Sequence, residues 1–502
     1  MPASPETDSA EPSLKLKTAR TLKWNTIDRL SSQLVYAVVG IVLANKVSPE
    51  DFGLVGVLLI FQAFATILTD GGFGMALLQK KEATQADYST VFWFNLAFSA
   101  AIYCALWFAA PLIADTFQGE TRLIGLSRVM FAAFVLNGLS IVQNTRLMKS
   151  MDVRMAAIAN VAGLMTGGIA GTLLAIYEFG AWALVWQSVT AAAVKTAILW
   201  GTSRWRPSFE FDFKSLKSIL PVGSSVLLNQ ILNTTCLKIY IYVTGAFYSL
   251  RAAGIYTVAD KWSTMGSAAI TQILTSSFIP LLSKFSNEPE THRRYIRRIN
   301  RFTALLTFPA LIGLAAVGEP LFHTLFGHKW DAAIILFQIL SIRGIFVVLT
   351  QLYYNYTVSL GRSRAMIAIE TAKDALVFIA IPATIFSGSL EVLVWGQAAA
   401  SLITFVIALA ISSKATGYGA VRMLKDLVPF LAISVLSAAA AMLAGSLIAS
   451  PMLMLSAEIA MGALAYIWML KTLRIPELPE MASYLLGRLK KKKKSLPLFS
   501  KK

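Results

Sequence analysis

Residues 332–359 read AAIILFQILSIRGIFVVLTQLYYNYTVS, twenty-eight positions with a single charge, Arg343. About 20 apolar residues cross a bilayer as one helix, so this stretch is long enough to span. Runs of the same character, separated by charged or Pro/Gly-containing segments, recur through the chain. They give fourteen candidate spans at 25–46, 52–70, 89–114, 123–146, 155–177, 181–201, 219–246, 253–281, 301–323, 332–359, 365–387, 389–412, 427–449 and 452–471. The fold class expected is an all-α polytopic membrane protein with 14 transmembrane helices.

Composition agrees with that expectation. Of 502 residues, 56% are hydrophobic and 14% are charged, where a soluble chain carries roughly 25%. A disordered chain, a disulfide scaffold and a soluble multidomain enzyme are excluded. The two cysteines, Cys104 and Cys236, lie in apolar runs and read as small core residues. The three histidines, His292, His323 and His328, fall in or beside loops. No Cys/His cluster shows metal-ligand spacing, so neither a metal nor a cofactor is expected.

Lys and Arg total 45 against 27 Asp and Glu, a net charge of +18. In a soluble protein this excess points to nucleic acid; here the sidedness of the charges decides. With the N-terminus inside and the spans alternating, thirty-four cations fall in cytoplasmic segments. Only Lys46, Arg122, Arg251 and Lys329 fall on the opposite face. Losing or gaining one early span destroys this asymmetry, so both termini are expected in the cytoplasm. Residues 1–23 carry Lys15, Lys17, Arg20 and Lys23 before a run of spanning length, which reads as an uncleaved first span. The lysines of the tail, Lys490 to Lys494, Lys501 and Lys502, suit a topology anchor or contact with anionic headgroups. Membrane lipids are expected partners and nucleic acid is not.

The chain repeats itself weakly. Phe52-Gly53-Leu54 opens span 2 as Ala253-Gly254-Ile255 opens span 8, at an offset of 201 residues. Leu77-Leu78-Gln79-Lys80 matches Leu281-Leu282-Ser283-Lys284 at 204, and Pro111-Leu112 matches Pro320-Leu321 at 209. Two six-span copies of the same orientation fit a transporter with parallel repeats. The organisation expected is a cytoplasmic segment 1–23, an N-lobe 24–201, a linker 202–218, a C-lobe 219–413, two further helices in 427–471 and a basic tail 472–502.

Seven cations remain in or beside spans: Arg29, Arg128, Lys195, Lys238, Lys261, Arg343 and Lys373. A charge at mid-bilayer costs roughly 2.5–3.5 kcal/mol even on the lenient insertion scale, so such residues face water or a partner. Arg128 and Lys195 sit near helix ends and can snorkel. Glu458 lies outside the repeats and has no evident role. On span 1, Arg29, Gln33 and Tyr36 form one stripe, and Asp28 leads to Ser32 on the next. Span 7 aligns Asn229, Asn233, Cys236 and Tyr240 beside Lys238, and span 8 aligns Tyr256, Asp260, Ser263, Ser267 and Thr271 beside Lys261. Span 10 aligns Arg343, Thr350, Tyr354 and Thr357. On span 11, Glu370, Lys373 and Asp374 either neutralise one another or, with Asp28 and Asp260, couple transport to an ion gradient. The stripes of spans 1, 7, 8 and 10 line a polar cavity or glue helices together. As a cavity they are net positive, which suits anionic cargo: Arg29, Lys238, Lys261 and Arg343 would hold phosphate. Tyr36, Tyr240, Tyr242 and Tyr354 would pack on sugar faces.

Several short stretches carry a family resemblance. They are Lys23-Trp24-Asn25, Phe52-Gly53-Leu54, Asp70-Gly71-Gly72-Phe73-Gly74, Gln79-Lys80-Lys81-Glu82, Trp93-Phe94-Asn95 and the run from Pro320 to Trp330. In that order, over roughly 15–420, the sequence resembles the polysaccharide-transporter branch of the multidrug/oligosaccharidyl-lipid/polysaccharide exporter superfamily, of colanic-acid and succinoglycan type. The resemblance implies two six-helix lobes in a V plus two C-terminal helices. It also implies alternating access for an undecaprenyl-pyrophosphate-linked oligosaccharide at a bacterial inner membrane, with a polysaccharide polymerase and co-polymerase as partners. Cavity arginines in early helices hold the pyrophosphate in such flippases, and Arg29 stands nearest that place. A lipid II flippase or a drug/cation antiporter of the same superfamily is the alternative, the latter preferring an acidic cavity. A membrane polysaccharide polymerase fits less well. The longest loop, 282–300, is basic and holds no carboxylate pair, and no Walker loop is present.

Overall fold

A computed structural model of the chain describes residues 10–70, 73–80, 82–203 and 205–473. Sixteen α-helices follow in order, with no strand among the described residues. They are α1 (Ala10–Lys46), α2 (Pro49–Asp70), α3 (Phe73–Gln79), α4 (Gln85–Thr116), α5 (Arg122–Lys149), α6 (Val153–Ile176), α7 (Ala181–Thr202) and α8 (Phe213–Val243). Then come α9 (Leu250–Lys284), α10 (Pro289–Ala316), α11 (Gly318–Leu325), α12 (Asp331–Ser359), α13 (Ser363–Ile385), α14 (Leu390–Thr416), α15 (Ala420–Gly445) and α16 (Pro451–Thr472). Inside a bilayer every backbone donor must be satisfied within its own segment, which is why apolar runs of this length fold as helices. Among the described residues, eleven stretches are long and apolar enough to cross a membrane. The chain is a multi-pass membrane protein. Helices α8, α9 and α13, punctuated by Ser, Thr, Asn or charges, fall outside that eleven.

Two segments depart from the sequence reading. The expected span 301–323 begins earlier, at Pro289, and breaks at Val317. Pro289 occupies the first turn, where its missing N–H costs nothing. His292, Ile296, Ile299 and Asn300 then turn inward while Arg293, Arg294 and Arg297 stay exposed, so the expected loop 282–300 is mostly amphipathic helix. The break falls where Pro320 would clash with the carbonyl four residues earlier, at Ala316, the last residue of α10. The second departure is the linker. Its extended residues 205–212 are pinned to the start of α4: Trp205 Nε1 donates to Gln85 Oε1, Ser208 N donates to Ser89 Oγ (3.0 Å), Trp93 Nε1 donates to the Ser208 carbonyl (2.8 Å) and Asp212 N donates to Thr90 Oγ1 (2.9 Å).

The chain forms two compact units, Met1–Thr257 and Val258–Lys502, dividing within α9. In the first, α6 packs closely on α7 through a stripe of small residues. A Cβ on Gly163 would lie 2.6 Å from the Ala191 carbonyl, and one on Gly171 would lie 3.0 Å from that of Ala183. Helix α8, grouped by the repeat with the spans that follow, packs here against α2, α3 and α4. Gly53 of α2 meets Gly254 of α9 backbone to backbone, so the two positions that the repeat aligns lie against each other. In the second unit, α10 and α12 share a core of Leu305, Phe308, Leu311, Val348, Leu352 and Tyr356. Helix α15 packs on α10, and α16 packs on α15 and α11.

Candidate functional site

On α1 the two polar stripes part. Asp28 and Ser32 turn toward α6, where Asn160 Nδ2 donates to Asp28 Oδ1 (2.9 Å) and to Ser32 Oγ (3.2 Å). Lys195 on α7 is half-buried. Sequence reasoning set Lys195 aside as snorkelling and passed over Asn160. The available signal was that Asn160 is a lone amide on a helix otherwise rich in Ala and Gly. Arg29, Gln33 and Tyr36, one position over, are exposed, with Tyr36 at 42%.

Helix α8 places Asn233 on its exposed side and Lys238 half-buried. The side chain of Asn229 lies outside the described residues. Tyr240, expected to line the cavity, is instead 1% exposed, and Cys236 on the same stripe is also buried. Positions 233, 236 and 240 keep nearly one face at 3.6 residues per turn, so the change from exposed to buried comes from what packs further along the helix in the first unit.

The polar face of α9 is mostly a helix contact. Tyr256, Ser263 and Ser267 are buried, and both serine hydroxyls donate back to carbonyls three residues earlier, those of Asp260 and Thr264 (3.1 Å each). A Cβ on Gly344 of α12 would lie 3.3 Å from Ser267 Cβ, so Ser267 sits where α9 approaches α12. Beside them Arg343 Nη2 donates to Asp260 Oδ1 at 3.4 Å, with side-chain exposures of 16% and 26%. Arg343, expected to hold cargo, is thus engaged by a carboxylate. Tyr354 packs against the core of the second unit, and Thr357 beneath it is buried. On α13, Lys373 bonds Glu370 and lies 3.8 Å from Asp374, a local cluster on one helix.

Arg29, Lys238 and Lys261 remain. Among the described residues none has a carboxylate within ion-pair distance; Arg29 is exposed, and Lys238 and Lys261 are half-buried. Arg128, read as a snorkelling residue, stacks on the Trp107 ring at 4.7 Å.

The stretches that carried the resemblance build the scaffold. Lys80 pairs with Asp87 at 2.7 Å, Asp87 and Thr84 form a capping box at the start of α4, and Lys149 Nζ donates to the carbonyls of Leu77 and Lys80. Asn95 and Trp330 are fully buried. Asp70, Gly71 and Gly72 lie outside the described side chains.

Among the described residues the chain is helical and multi-pass, with three cations on its helices that have no carboxylate partner, and comparison with solved structures places its fold. It superposes on the lipid II flippase MurJ in an inward closed conformation with a TM-score of 0.72 at 15% identity, covering 90% of this chain and 99% of that one. An inward-facing multidrug resistance transporter of the MATE family, in the MOP superfamily, matches with a TM-score of 0.58 at 15% identity over 77% of this chain and 96% of that one. The family model described as "Polysaccharide biosynthesis protein" matches residues 28–335, and the chain belongs to that family, in the polysaccharide-transporter branch of the MOP superfamily. Among curated relatives, the teichuronic acid biosynthesis protein TuaB of Bacillus subtilis (strain 168) is 27% identical over 79% of this chain and 82% of its own. The succinoglycan biosynthesis transport protein ExoT of Rhizobium meliloti (strain 1021) is 25% identical over 64% and 65%, and the lipopolysaccharide biosynthesis protein WzxC of Escherichia coli (strain K12) is 24% identical over 75% and 76%.

Proposed function

We propose that this protein is a flippase that moves undecaprenyl-pyrophosphate-linked oligosaccharide units across a bacterial inner membrane by alternating access, supplying polysaccharide assembly. Family membership, the transport named for ExoT and the polysaccharide biosynthesis named for TuaB and WzxC support the reading. The observation that carries it to this chain is the set of three cations, Arg29, Lys238 and Lys261, without a carboxylate partner among the described residues. Leaving a cation unpaired in a membrane helix is costly, and the expense is justified where an anionic group comes and goes. We assign these three to the pyrophosphate. Arg343, already bonded to Asp260, is given a structural part. Fourteen spans, two six-helix lobes with two additional helices, and cytoplasmic termini complete the proposal, with a polymerase and co-polymerase receiving the product. Asp28 is the carboxylate assigned to ion coupling, because Asp260 is engaged by Arg343, and Glu370 and Asp374 by Lys373.

A strain lacking the protein tests this reading. Lipid-linked repeat units are expected to accumulate at the inner leaflet and to clear when the wild-type gene is restored. Clearance by a variant with Arg29, Lys238 and Lys261 all changed to Gln removes the site. No accumulation in the deletion strain removes the function.

A further inference from the structure

The segment between α10 and α12 brings together groups that the sequence keeps apart. Helix α11 ends at Leu325, and Gly327 follows at φ +78°, a left-handed conformation that Gly adopts without strain. The chain reverses there and returns through a 3-10 turn, His328–Trp330, into α12. The reversal sets the His328 ring 4.4 Å from that of His323, centroid to centroid. Asp331, the first residue of α12, completes the group: His323 Nε2 lies 3.0 Å from its Oδ1, and His328 Nδ1 lies 3.5 Å from its Oδ2.

The backbone beneath these side chains is held from inside. Phe322 and Trp330 are 0% exposed and Phe326 is 1% exposed, and the three aromatics alternate with the two histidines along the turn. Phe322 packs edge-on against Phe326 at 5.0 Å, and Phe326 also meets Trp262 at 5.2 Å. The histidines therefore stand on a fixed base while their rings reach solvent, with His323 at 18% and His328 at 79% exposure. One nitrogen from each ring and one carboxylate oxygen all lie within 4.8 Å of one another.

We propose that His323, His328 and Asp331 form a binding site for a divalent transition metal, zinc foremost, that clasps the end of α11 to the start of α12. Two imidazoles and a carboxylate are the donor set that zinc accepts, with bonds of about 2.0–2.2 Å and a tetrahedral edge of roughly 3.3 Å. The 3.0 and 3.5 Å separations run to the two different oxygens of Asp331, and the three donor atoms, all within 4.8 Å of one another, would close in by no more than about 1.5 Å to reach that edge. Imidazole favours zinc, nickel and copper over magnesium and calcium, which prefer all-oxygen sets. Three protein ligands leave the remaining position to water. The clasp is independent of the flippase assignment, because it uses none of the cations given to cargo.

The test is titration of the purified full-length protein in detergent, freed of any polyhistidine tag, with zinc chloride and, separately, magnesium chloride, followed by calorimetry. His292, the only other histidine, is 2% exposed and offers no competing surface ligand. One saturable zinc site is expected, with no magnesium site of comparable affinity. His323→Ala and His328→Ala are each expected to weaken zinc binding at least about tenfold, since losing a ligand costs no less than losing an outer-shell partner. Zinc should raise the melting temperature of the wild type and leave that of the double variant unmoved. His328→Ala removes a solvent-exposed ring, so it reports on binding without disturbing the core. Absence of saturable zinc binding, magnesium binding as tight as zinc, or unchanged zinc affinity in the double variant would overturn the site.

Discussion

The stripes on α1 and α9 look alike in sequence, each an acidic residue beside a basic one with hydroxyls one turn on, yet they end differently. On α9, Asp260 takes Arg343 as partner and Ser267 beyond it lies against Gly344 of α12. On α1, Asp28 is gathered in by Asn160 and Ser32, and Arg29 is left exposed without a carboxylate. What separates them is the neighbour. Gly344 lets α12 come close to Ser267 of α9, whereas Asn160 offers α1 an amide that satisfies the acid and leaves the base alone. Both helices leave the adjacent base, Arg29 or Lys261, without a carboxylate among the described residues, but only on α9 does the acid join an ion pair that ties two helices together.

That contrast breaks most visibly at Asp260. Changing it to Leu strands Arg343 partly buried, which is expected to cost about 3–5 kcal/mol. Thermal unfolding in detergent should fall by several degrees, and Asp260→Leu with Arg343→Met should recover most of the loss. A single variant that melts like the wild type would show that the pair is not structural. Arg29→Gln is expected to leave the melting temperature in place and to slow clearance of stranded lipid-linked units about tenfold, the loss of one charge-assisted bond. A fall in stability with unchanged transport would reverse the roles of the two stripes. Asn160→Ala removes the donor shared by Asp28 and Ser32 and is expected to cost about 1–2 kcal/mol, read by the same melting curve. Ser267→Ala should move stability by no more than about 0.5 kcal/mol, because its hydroxyl bonds only its own helix.

Helix positions were legible in the sequence because hydrophobic length is a one-dimensional signal: each of the fourteen apolar stretches meets a long helix, with ends displaced by caps and prolines. The exception at 301–323 turned on Pro320, whose clash with the preceding turn outweighs the apolar run around it. Charges were harder. Spacing fixes which residues share a face but not what that face meets, so Tyr240 turned inward and Arg343 found Asp260. His323, His328 and Asp331 have no helical period between them; a reversal at Gly327 assembles them, and ligand-spacing rules do not anticipate it.

The account stands on Arg29, Lys238 and Lys261 meeting a pyrophosphate. Proteoliposomes carrying an undecaprenyl-pyrophosphate-linked oligosaccharide, with leaflet exposure followed by an impermeant enzyme that acts on the sugar, test it most directly. The wild type is expected to equilibrate the lipid between leaflets, and the Arg29→Gln/Lys238→Gln/Lys261→Gln variant, folded and inserted, to do so at least about a hundredfold more slowly, as the loss of several charge-assisted bonds requires. Equal rates for the two proteins would contradict it.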